Sequence, residues 1–173
     1  MTDLKALQFP IGEFVSPENV TDAEYAAAVA IIANFPKVLR QALSQATDIQ
    51  LDTPYRPDGW TVRQVVHHLA DSHINSFTRI KLALTETQPT IKPYDEAAWA
   101  NLPDATTRID SSLLLLEGLH ERWTLLMQSL TAAQKRATFY HPDWKHVWVL
   151  QEVMVFYAWH CEHHLAHIKL VVK

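Results

Sequence analysis

Four of the chain's ten histidines crowd into the run AWHCEHHLAH, as His160, His163, His164 and His167. Three more, His67, His68 and His73, lie in RQVVHHLADSH. Neutral imidazoles ligate divalent cations, move protons near neutral pH, or simply hydrogen-bond inside a core. Spacing separates these uses, because a helix advances about 100° per residue and side chains at i and i+4 share a face. Val153, Tyr157, Cys161, His164 and Ile168 fall within an arc of about 80°, and His160 lies about 40° from His164. The pair His160/His164 therefore converges from the buried stripe, as two ligands of one cation must. His163 and His167 repeat the spacing but lie about 100° and 60° round from His164, facing away from the core centre. By itself the inward pair leaves a metal site and interior hydrogen bonding equally open.

A third ligand would decide between them. In the earlier run the apolar stripe is Val62, Val66, Leu69, Phe77, Ile80 and Leu84. His67 points about 160° from its centre and is expected to be exposed, whereas His68, about 100° away, can reach inward from the border. Asp71, about 60° from His68 on the polar side, could accept a hydrogen bond from its other ring nitrogen or be solvated. His73 lies on the stripe and remains a competing ligand. His120 also faces inward, beside Trp123 and Met127, and for it and His73 packing with one hydrogen bond is the favoured role. Three neutral imidazoles with a fourth position open are a catalytic arrangement for zinc or a similar ion. Cys161 neighbours His160 and is expected to pack. Glu162 is expected to face solvent. Other signatures are missing: there is no HExxH, CxxC, Gly-rich phosphate loop or GxSxG. Glu117 and His120 form one Glu-x-x-His pair, short of a di-iron set.

The elements that must position these rings are helices. Three glycines and no Asn-Gly or Asp-Gly hairpin between alternating strands argue against a β architecture. Thr21/Glu24, Thr61/Gln64 and Thr131/Gln134 have the pattern of capping boxes. Long helices are expected from Thr21 to about Leu43, from Thr61 to about Thr85, from Asp110 or Ser111 to about Leu130, and over about Leu150–Val171. Pro36 should break or kink the first of them. Asp95 can cap a short accessory helix over EAAWAN, and TFYHPDWKHVWVL has the pattern of a small β-hairpin. Residues 1–20 read as an extended N-terminal arm. The fold class is all-α: one domain over 1–173, built as a four-helix bundle that can hold ligand sites between facing helices. A net charge of −4 and pI near 6.2 supply no basic footprint for nucleic acid or anchor for membrane. No apolar run is long enough to span a bilayer, and MTDLKALQFPIGEF lacks the layout of a signal peptide. A single cysteine suits the reducing cytoplasm.

LDTPYRPDGWTVRQVVHHLADSH, IKPYDEAAWA, HERW and FYAWHCEHHLAHI, in that order, resemble the YfiT-like branch of the DinB superfamily over nearly the whole chain. The resemblance implies a four-helix bundle with one divalent metal ion per chain on three histidines: one from the H-L-A-D run and two from the last helix. Here these are His68, His160 and His164, the three that direction also prefers, with Asp71, His163 and His167 as candidates around them. The resemblance further implies a metal-dependent hydrolase or a thiol S-transferase using a thiol such as bacillithiol, commonly as a homodimer.

The sequence thus points to an enzyme whose partners are a small-molecule thiol and an electrophile, or a hydrolysable small molecule. Thiol transfer is preferred because no residue stands out as a base for water. Zinc or nickel is the leading cofactor, with iron or manganese next, since imidazole suits several such ions. The competing class is a non-catalytic metal-binding module, such as a stress-response interaction partner. The loop PTIKPYDEAAW separates the two: closing over a cleft favours catalysis, and lying flat on the surface favours an interaction role.

Overall fold

The computed structural model describes residues 4–173. Its elements in chain order are α1 (Leu4–Gln8), α2 (Asp22–Leu43), α3 (Asp48–Leu51), α4 (Val62–Thr85), α5 (Glu96–Trp99), α6 (Asp110–Gln128), β1 (Thr138–His141), β2 (His146–Val149) and α7 (Leu150–Lys169). The four long helices form the bundle. α2 packs between α6 and α7, and so does α4, which puts α2 and α4 at opposite corners. One apolar core runs through all four, from Ile32 and Leu39 to Leu69, Ile80, Leu116, Met154 and Ile168. By length and composition α2 could cross a membrane; in the bundle its apolar face packs against α6 and α7.

Local chemistry accounts for the boundaries. Thr21, Thr47 and Thr61 each cap a helix and are capped in return by Glu24, Gln50 and Gln64, which satisfies two end groups per helix. Asp95 accepts from the Ala98 N–H at 2.9 Å to open α5. α6 begins at Asp110 after Ile109, with no side-chain cap. β1 and β2 pair antiparallel, Thr138 with Val149 through His141 with His146. The loop before α5 is tied to this hairpin by Tyr140 N–H to Pro89 O at 2.9 Å and Ile91 N–H to Tyr140 O at 3.0 Å.

Two expectations need correction. The N-terminal arm is not extended throughout, since Leu4–Gln8 form a helical turn and Gly12 takes a positive φ of 84° where the arm bends back; residues 1–3 of that arm lie outside the described residues. Pro36 does not break α2, which continues from Asp22 to Leu43. A proline there leaves the carbonyl four residues back without its helical donor, and that carbonyl, Ile32 O, instead accepts from His120 Nδ1 at 2.6 Å.

Candidate metal centre

His68 projects from α4, and His160 and His164 from successive turns of α7. Each offers one ring nitrogen, and the three atoms lie within 4.8 Å of one another. All three rings are buried. Their centroids are 5.5 Å apart for His68–His160, 4.9 Å for His68–His164 and 4.5 Å for His160–His164. Burial, with a smaller contribution from His163, pushes His68 down to about 4. Burial first, then the neighbouring imidazoles, holds His160 and His164 well below the usual histidine range. The rings are therefore neutral at physiological pH, so a cation would displace no proton from them. Three close, neutral imidazoles are a donor set that fits a divalent ion of the zinc type.

A cavity of about 360 Å³ opens onto these rings. The three histidines form one wall, and Arg79, Tyr94 and Glu96 belong to the others. A second trio, His163, His164 and His167, also brings ring nitrogens within 4.8 Å. It shares His164 with the first, and His167 is not part of the cavity wall. His167 instead places Nε2 3.0 Å from Gln8 O and stacks on Tyr55 at 4.0 Å. The first trio is the one a small molecule can approach.

The surroundings of these rings differ from the helical-wheel reading in several places. His67 is buried rather than exposed, 2.8 Å from Ser112 Oγ and 3.2 Å from Thr107 O. The polar side of α4 is covered there by α6 and the loop before it, where buried Arg63 also reaches Asp52, Asp48 and Thr107. Asp71 does not back His68: among the described residues no hydrogen bond joins them. Burial pushes the Asp71 carboxyl up, with Asp104 adding to the effect and His67 opposing it. His163 and His167 are buried too, because the N-terminal arm covers that side of α7. Phe9 meets the His163 ring at 5.9 Å, and Trp159 stacks on it at 4.4 Å. His167 Nδ1 lies 3.4 Å from His164 Nδ1, behind a member of the first trio. Glu162 is exposed and Cys161 buried and free, as direction alone implies.

Direction alone does not give the remaining cleft residues. Glu96, exposed at the rim, also lines the cavity. Desolvation pushes its carboxyl above the usual range, with Arg79 opposing and Asp95 adding. Pro93, Tyr94 and Glu96 come from the loop IKPYDEAAW, which thus supplies part of the cleft wall. The signal for this was the Pro-bounded loop itself, fastened to the hairpin.

The site thus defines a four-helix bundle in which two neighbouring helices, α4 and α7, bring three buried imidazoles to an open cleft. The chain belongs to the DinB superfamily, whose model matches residues 32–168. It is 50% identical over 163 residues to "Putative metal-dependent hydrolase YfiT" of Bacillus subtilis (strain 168), covering 94% of this chain and 92% of that one. A "Putative metal-dependent hydrolase" of Bacillus pumilus (strain SAFR-032) is 45% identical over 170 residues, covering 98% of this chain and 97% of the relative. The solved structure of Bacillus subtilis YfiT, described as a probable metal-dependent hydrolase with an unusual four-helix bundle topology, superposes with a TM-score of 0.92. It is 49% identical in sequence and covers 95% of this chain and 94% of that one.

Proposed function

We propose that the chain is a metal-dependent enzyme acting on small molecules, with His68, His160 and His164 holding one divalent cation, zinc or nickel foremost. The carrying observation is the convergence of three buried, neutral imidazoles on one cleft. A cation on these three histidines would supply Lewis acidity and, because neutral ligands offset none of its charge, would lower the pKa of a thiol or water in the cleft. The chain's own residues do the rest. Tyr94 and the hairpin side of the cleft limit access, and Arg79 presents a cation to the polar part of a substrate. Glu96, with its carboxyl pushed up, is suited to take the nucleophile's proton and return it to the leaving group.

Two nucleophiles suit this cleft. A low-molecular-weight thiol such as bacillithiol, favoured by the resemblance, would form a carbon–sulfur bond as the bond to the leaving group breaks, with the thiol proton passing to that group. Water would make the chain a hydrolase, the activity its relatives are named for. Conjugation of bacillithiol to a chloro- or epoxide-bearing acceptor, beside ester and amide hydrolysis, distinguishes them. Hydrolysis without conjugation would overturn the thiol preference. The place of the loop IKPYDEAAW in the cleft wall favours catalysis over a metal-binding interaction module. A homodimer of single-domain chains and a cytoplasmic location, the latter suited by one buried thiol, belong to the same reading.

A further inference from the structure

Behind His160 a line of imidazoles crosses the bundle. His160 Nδ1, on α7, lies 3.2 Å from His73 Nε2, on α4. His73 Nδ1 lies 2.8 Å from His120 Nε2, on α6. His120 Nδ1 lies 2.6 Å from Ile32 O, on α2. One side chain or carbonyl from each long helix takes part, and His73 and His120 are 0% and 1% exposed.

The far end fixes the direction of every bond. A carbonyl can only accept, so His120 Nδ1 carries the proton, and in a neutral ring its Nε2 is then bare. His120 Nε2 accepts from His73 Nδ1–H, which leaves His73 Nε2 bare. That nitrogen accepts from His160 Nδ1–H, and the lone pair of His160 is left on Nε2. The anchor exists because of Pro36: the residue four positions after Ile32 has no N–H, so Ile32 O is free to receive His120.

A shorter line stands behind His164. His164 Nδ1 is 3.4 Å from His167 Nδ1, and His167 Nε2 is 3.0 Å from Gln8 O at the end of α1. The carbonyl at a helix C-terminus lacks a helical donor. By the same logic His167 carries its proton on Nε2, its Nδ1 accepts from His164, and the His164 lone pair is on Nε2.

We infer that two polarised imidazole lines, anchored on Ile32 O and Gln8 O, set the Nε2 lone pairs of His160 and His164 for the cleft. His73, His120 and His167 are thus positioning residues for metal binding. The inference rests on the proposed metal role of the trio, and it gives the buried His73 and the mid-helix Pro36 a shared purpose. Groups that donate to or accept from a ligand's far nitrogen fix its tautomer and orientation, and losing them typically costs about 10- to 100-fold in metal affinity.

The test uses the chelator-stripped, ¹⁵N-labelled chain, whose long-range ¹H–¹⁵N correlations report the tautomer of each imidazole. Expected are Nδ1–H at His160, His73, His120 and His164, and Nε2–H at His167. His120→Phe, which keeps a ring but neither donates nor accepts, should scramble the His160 tautomer. It should also weaken zinc binding about 10- to 100-fold in chelator competition. His120→Gln, whose amide oxygen can still accept from His73, should recover part of that loss. Nε2–H at His160 in the parent chain would overturn the inference. So would a folded His120→Phe protein with unchanged tautomers and unchanged zinc affinity. The expected tautomers in a chain that takes up no zinc would uphold the imidazole lines and overturn the metal reading.

Discussion

The cleft trio and the core pair use the same side chain at almost the same burial. His68, His160 and His164 stand at 5%, 7% and 8% exposure, His73 and His120 at 0% and 1%. What differs is the second nitrogen of each ring. In the core pair both nitrogens are taken, by another imidazole or by a backbone carbonyl. His160 and His164 spend only Nδ1 on the protein, and their rings open on a cavity. Burial therefore does not identify a ligand histidine. What sets the trio apart is that its three rings also bring one nitrogen each within 4.8 Å of one another at the cavity.

Removing a cleft ring should break this distinction most severely. His160→Ala or His164→Ala should reduce bound metal from one ion per chain to almost none by elemental analysis, while His120→Phe keeps a full complement at saturating metal. Next in size is the loss of turnover on replacing the rim carboxylate. Glu96→Gln should lower kcat by about 10²- to 10⁴-fold, the usual range for a general acid–base group, with metal content unchanged.

Acid should also tell the two groups apart. An unfolded imidazole titrates near ~6.5, whereas desolvation pushes buried His120 down to about 4. Between those values the unfolded chain binds the extra proton. The stabilisation is complete above pH ~6.5 and lost as pH falls toward 4, at about 3 kcal/mol for this residue. Denaturant titrations across that interval should show the slope, and it should shrink in a folded His120→Phe variant. Saturating zinc should hold the cleft rings deprotonated in the native state, steepening their share of the acid sensitivity while leaving the core share in place. The smallest effect is expected at Asp71, which does not contact His68. Asp71→Asn should change zinc affinity less than threefold by chelator competition.

Much of this was legible in the residues. The Thr-x-x-Glu/Gln pattern marks Thr21 and Thr61 as helix starts because capping is local chemistry. Turn periodicity makes His160 and His164 share a face and lets His68 reach inward, but it leaves His73 as a rival. Choosing the three together rests on the family resemblance. The rest depends on partners distant in sequence. Nothing in RQVVHHLADSH tells that Ser112 and Thr107 cover His67. Nor does AWHCEHHLAH reveal that Phe9 and Gln8 bury His163 and His167. Pro36 is a helix breaker by its own chemistry, and only the arrival of His120 from α6 shows why α2 continues through it. Nothing around Glu96 in the sequence marks it as a cleft residue; its place in the cavity lining comes from the fold, with the loop before it tied to the hairpin.

The central claim is that three imidazoles of one chain share one cation. Isothermal titration of the stripped chain with zinc tests it directly, run beside His68→Ala, His160→Ala and His164→Ala variants shown to be folded by circular dichroism. One site per chain in the parent, and none of comparable affinity in any of the three variants, is the predicted result. A parent that takes up no zinc, or a His68→Ala chain that binds it as tightly as the parent, would contradict the account.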